Sequence, residues 1–154
     1  MIGDGRDETE AEKADRNWSD ILQELRAVQT GTQIITGFLL AVAFQPTFQD
    51  LQPYQVGGYL VLVVLAGCAT VLGIAPIIMH RQAFGKQRKP ELVRSANRLL
   101  LALLVVVSLL AAGVVGLVFD VAAGGTAGFV ALAVALMVLV VFWTVVPRYG
   151  RSQT

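Results

Sequence analysis

Residues 99–119 read LLLALLVVVSLLAAGVVGLVF, an apolar stretch whose one polar side chain is Ser108. At 1.5 Å per residue a helix over it extends roughly 30 Å, the thickness of a bilayer's hydrocarbon core. No face of that helix offers the polar stripe that a soluble core helix turns to water, so the stretch predicts a membrane span. The same pattern continues on both sides. Asp120 is the sole charge between Arg98 and Arg148, and no charged side chain lies between Asp50 and His80. Two further spans follow, at about 54–79 and 128–146. The first is preceded by Pro53, and Pro76 predicts a kink near its end. The second is closed by Trp143, Pro147 and Tyr149, aromatics suited to the headgroup level.

A fourth span, 30–48, is weaker. No charge occurs from Ala27 to Gln49, but Gln29, Thr30, Thr32, Gln33 and Thr36 crowd its first half. With 154 residues, 55% of them hydrophobic, the chain has room for one domain and exceeds the roughly 45–50% apolar share of soluble domains. The reading is an all-α integral membrane four-helix bundle over 17–149, carrying a short N-terminal amphipathic helix and a C-terminal tail at 150–154. Residues 1–16, MIGDGRDETEAEKADR, hold almost no large apolar group and read as a disordered acidic tail. Asn17 offers an N-cap, after which Trp18, Ile21, Leu22 and Leu25 share one face of the amphipathic helix.

Charge supplies the orientation. With four spans, every Lys and Arg falls on one side: before the first span, in the segment from His80 to Arg98, or after the fourth. The positive-inside rule makes that side cytoplasmic, placing both termini there and the protein in the plasma membrane. Omitting the weak span would put Arg6, Lys13, Arg16 and Arg26 outside. An alternative is cleavage after Ala41-Val42-Ala43, which resembles a signal-peptidase site; the long acidic stretch before it argues against this.

Two groups of residues stand out. Arg26, Gln29, Thr30, Gln33 and Gly37 are spaced by three and four residues, so they form one polar face of the first helix. Such a face either hydrogen-bonds neighbouring helices or lines a polar vestibule open to the cytoplasm. His80 and Arg81, with Lys86, Arg88 and Lys89, belong to a segment whose six Lys/Arg oppose only Glu91. These charges fix topology, and anionic headgroups of the inner leaflet are their natural partner. Asp50 and Asp120 read as solvated loop residues, and Cys68 as packing. Gly124-x-x-x-Gly128 allows a close helix approach, including to a second copy, while a membrane partner protein is a further possibility.

Other chemistry has little footing. One His and one Cys cannot assemble a nucleophile, base and orienting acid, and no phosphate-binding glycine loop with Lys is present. His80 and Cys68 are too far apart along a helix to share a metal, so no cofactor is expected. Nucleic acid is not expected either, because no recognition arrangement accompanies the basic residues. The expectation is a non-enzymatic membrane protein. The alternative is a small transporter or channel subunit using the polar face of the first helix.

The motifs Glu24-Leu25-Arg26, Gln29-Thr30-Gly31, Gln33-Ile34, and then Ala75-Pro76 with His80-Arg81, carry a resemblance. Across about 17–148 the chain resembles a family of small four-helix actinobacterial membrane proteins of unknown function, with E-L-R-x-x-Q-T-G-x-Q-I and A-P-x-x-x-H-R signatures. The resemblance implies the four-helix topology and a bacterial membrane, and no activity. Some members are labelled sodium/proton antiporters, but ion-coupled carriers use carboxylates inside the membrane, which these spans lack away from their ends. The chain departs from the family at Val42-Ala43-Phe44-Gln45-Pro46, where the proline is displaced, so the first outer turn is expected to differ in shape.

Overall fold

The computed structural model describes residues 9–83 and 89–151. Four helices occupy nearly all of it: α1 (Glu10–Val42), α2 (Pro53–Ala83), α3 (Lys89–Ala123) and α4 (Gly125–Arg151), with a 3-10 turn at Pro46–Asp50 between α1 and α2. The chain is all-α, and α2, α3 and α4 are each long and apolar enough to cross a membrane. α1 is not among those three. Its uncharged part, from Ala27 to Val42, extends only roughly 24 Å along the axis.

α1 starts earlier than expected. Its N-cap is Thr9 rather than Asn17, and the helix runs unbroken through residues 10–16 of the stretch read as tail, whose residues 1–8 lie outside the described residues, and on through Asn17 and Asp20. Thr9 Oγ1 accepts from the Glu12 N–H at 3.3 Å, while Glu12 Oε2 accepts from the Thr9 N–H at 2.8 Å, a reciprocal capping box. The acidic residues suit a helix N-terminus, and packing at Trp18 supplies the nucleus from which the first turns propagate cheaply. The amphipathic segment is therefore the first part of α1, not a separate short helix.

α1, α2 and α3 form a three-helix unit with a heptad seam. Trp18, Ile21, Leu25, Val28, Thr32, Ile35 and Leu39 face inward on α1, all buried or half-buried. On α2 the buried positions are Gln55, Tyr59, Leu62, Ala66, Ala69, Gly73 and Pro76. On α3 the series is Ala96, Leu100, Leu103, Val107, Leu110, Val114 and Leu117. Alternating steps of three and four keep one seam facing its neighbours over the whole length, as in a left-handed bundle. One cluster joins Trp18, Ile21 and Leu25 to Ala69, Ala96, Leu100 and Leu103; the other joins Leu39 to Tyr59, Leu62, Ala66 and Leu110. Cys68 falls between seam positions and is exposed, so it points out of the bundle rather than packing inside it.

Near the end of α1 the Tyr59 hydroxyl donates to the Leu39 carbonyl at 2.8 Å. That carbonyl is one of the last four of the helix, which have no partner within it. Phe48 of the 3-10 turn packs edge-on against the Tyr59 ring, with centroids 4.9 Å apart.

α4 packs along α3, outside the seam. The two helices are separated by Gly124 alone, at φ +94°, a left-handed conformation that glycine adopts without penalty. The crossing is tight. A Cβ on Gly128 would collide with Asp120 and lie 2.9 Å from the Gly116 carbonyl oxygen, and one on Gly116 would lie 2.9 Å from Leu132 Cβ. Gly128 thus serves contact within the chain, between α3 and α4.

The described residues of the segment from His80 to Arg98 are also helical. α2 continues to Ala83 and α3 begins at Lys89, with Pro90 in its first turn, where a missing N–H costs nothing. Helices that outlast the hydrocarbon keep their backbone bonds satisfied up to the headgroups.

Candidate functional site

The seam sets which residues of α1 are turned inward, and it divides the polar face. Thr32 is the polar side chain the seam takes, 4% exposed, its hydroxyl donating to the Val28 carbonyl at 2.9 Å. Gln29 is half-buried and lies over Gly73 of α2: a Cβ there would stand 2.6 Å from Gln29 Nε2. Arg26, Thr30 and Gln33 are exposed on the outside of α1, and the Thr30 hydroxyl donates to the Arg26 carbonyl at 2.9 Å. The four residues therefore do not converge on one space. Gln29 meets α2, while the other three look away from it.

The basic residues gather at one end of the bundle. α1 runs antiparallel to α2 and parallel to α3, so the N-terminal half of α1, the last turns of α2 and the first turns of α3 meet around Trp18, Leu25, Ala96 and Leu100. Arg26, Arg81, Arg94 and Arg98 are exposed there. Their stems can lie along apolar surface while the guanidinium groups reach outward. His80 and Lys89 lie on α2 and α3 respectively, and Lys86 and Arg88 lie outside the described residues.

The opposite end carries a feature missed by reading Asp120 as a loop residue. Asp120 is in the last turn of α3, half-buried, and the Tyr54 hydroxyl at the start of α2 donates to its Oδ1 at 3.1 Å. Among the described residues its Oδ2 accepts no hydrogen bond. The pair lines a groove of about 510 Å³ between α2, α3 and α4, together with Gly58, Gly113, Gly116 and Phe129. Neither this groove nor a smaller apolar one on α4 beside Met137 and Phe142 is lined by Arg26, Gln29, Thr30 or Gln33. One sequence signal could have pointed here: Asp120 is the lone charge in a long apolar stretch, and such a group seeks a partner.

Among the described residues no three of His, Cys, Asp or Glu are grouped to hold a metal ion. No curated protein and no solved structure matches the chain. A family model matches residues 7–147, nearly the whole of it, and the chain belongs to that family, described as a family of unknown function (DUF6328).

Proposed function

We propose that this is a non-enzymatic, multi-pass protein of the plasma membrane whose basic end contacts anionic headgroups of the inner leaflet. The observation that carries the reading is the exposure of Arg26, Arg81, Arg94 and Arg98 at one end of the bundle, while the charges of the other end are Asp50 and Asp120. The positive-inside rule then sets that end, and both termini, in the cytoplasm. Each basic group near an anionic leaflet contributes about 1 kcal/mol, so four acting together would outweigh thermal exchange with neutral lipid. In this reading α1 lies in the membrane beside α2 and α3, its short apolar length compensated by packing along both. The test is thermal unfolding in nanodiscs of phosphatidylcholine with and without phosphatidylglycerol. The expected result is a midpoint raised by the anionic lipid in the native chain and not in an Arg81→Gln, Arg94→Gln, Arg98→Gln variant; equal midpoints in the native chain would refute the reading.

A second reading, a small channel or transporter subunit, draws support from Thr30 and Gln33 lying exposed on α1. Polar groups facing lipid are costly, and further copies of α1 would cover them around a polar path. Liposome flux that Gln33→Leu abolishes would establish it; absence of flux for inorganic ions in the native chain would remove it.

A further inference from the structure

The groove between α2, α3 and α4 is polar at one end and apolar along the rest, an order set by α2 and α3, while α4 adds an apolar wall. On α2, Tyr54 and Gln55 are followed along the chain by Gly58, Val61 and Leu62; on the antiparallel α3, Asp120 is preceded by Leu117, Gly116 and Gly113. On α4, Phe129 precedes Leu132. Seven residues separate Tyr54 from Val61, and likewise Asp120 from Gly113, giving a groove roughly 10 Å long. Its volume of about 510 Å³ falls within the roughly 300–1,000 Å³ typical of small-molecule sites.

We propose that this groove binds a membrane amphiphile with an organic ammonium head, the head against Asp120 and Tyr54 and the alkyl tail along Gly58, Val61 and Leu117. Charge decides the head. A carboxylate at a groove open sideways to lipid tails is poorly hydrated, and a cation there neutralises it. Tyr54 and Phe129, 61% and 74% exposed, add aromatic faces that attract ammonium groups. An anionic head would meet the carboxylate with no basic residue beside it in the groove. A bare divalent ion would need about six oxygen ligands, against one carboxylate, one phenol and the Gln55 amide, whose Oε1 already accepts from the Gln52 N–H. Glycine decides the tail: Gly58 meets nothing within 4 Å, so the space beside it is open. The inference is independent of the basic end, which lies at the other end of the bundle.

The experiment uses the full chain in dodecyl maltoside micelles, whose heads carry no ammonium group, with radiolabelled dodecyltrimethylammonium as probe. Saturable binding near one per chain is expected, weakened at least tenfold by Asp120→Asn and lost in Gly58→Leu. Because Gly58 has open space, Gly58→Leu should fill the groove while the fold, followed by circular dichroism, stays intact. Gly31→Leu, also in open space but on α1, should bind as the native chain does. Non-saturable uptake, undiminished binding in Gly58→Leu, or equal binding of dodecyl sulfate would overturn the proposal. Equal affinity for tetramethylammonium would overturn it too, since the tail would then contribute nothing.

Discussion

α1 and α4 invert the usual link between apolarity and burial. α1 is the most polar of the four helices and buries a continuous seam from Trp18 to Leu39; α4 is apolar on every face and buries little beyond Gly128. In water this would be perverse. In a bilayer it follows from the solvent: lipid tails are as apolar as Leu, so hydropathy reports which helix can meet lipid and says nothing about which helix meets protein. What holds helices together there is shape, through interdigitated side chains and close backbone approach.

The sharpest way to break this contrast is to truncate one residue on each side of it. Leu103 is 1% exposed in the seam and Val138 is 60% exposed on α4. Leu103→Ala should lower stability by about 2–3 kcal/mol, the lower part of the soluble-core range because the lipid-dispersed state gains nothing from water. Val138→Ala should change it by less than about 0.5 kcal/mol. Both are read from midpoints of dodecyl sulfate titrations in mixed micelles; equal effects would mean that the Val138 face of α4 has a packing partner of its own.

Close approach is tested next by adding one methyl group. Gly128→Ala should cost about 1–3 kcal/mol and loosen α4 from α3, because the new Cβ meets the Asp120 backbone, with Asp120 Cα at 2.8 Å, and backbone cannot swing aside. Gly58→Ala, in open space within a helix, should be neutral or stabilise by up to about 1 kcal/mol. A smaller effect belongs to the link between α1 and α2. Tyr59→Phe should cost about 1 kcal/mol by leaving the Leu39 carbonyl without its donor, visible as faster hydrogen exchange in the last turn of α1.

The smallest effect lies at the exposed start of α1. The backbone N–H of Thr9, and then its hydroxyl, hold the Glu12 carboxyl below its ordinary pKa. A lowered folded value means that the ionised carboxylate stabilises the helix start in full above the ordinary carboxylate range. That contribution is lost as pH falls through the lowered value. Acidification across that window should fray the first turn, seen as lowered amide protection factors near Glu12, and Glu12→Gln should remove the pH dependence. Unchanged protection factors in the native chain would show that the cap does not depend on the charge.

Some of this was legible in the residues. The runs beside Arg98, Asp120 and Asp50 sufficed for the apolar helices, because a charge-free length near 30 Å has few other uses. Trp18, Ile21 and Leu25 revealed part of the α1 seam, since polar neighbours mark the remaining faces there. Ala66, Ala69, Gly73 and Leu103 gave no such contrast. Where every residue is apolar, the inward face differs from the lipid face only in side-chain size and in what stands opposite.

The same limit applied to the candidate sites. The spacing of Arg26, Gln29, Thr30 and Gln33 correctly identifies neighbours on one helix, yet the angle at which α1 sits decides that Gln29 meets Gly73 while the other three face away. Asp120 looked like a loop residue because charge commonly ends a span. Only the one-residue reversal at Gly124 keeps it helical, and only the return of α2 brings Tyr54 to it across a separation of 66 residues. Sequence alone determined the solvent of this protein, because transfer into lipid depends on composition and length. Tertiary structure decided its seam, its tight crossing and its groove, because those depend on which surfaces meet, and helices of equal apolarity do not announce their partners.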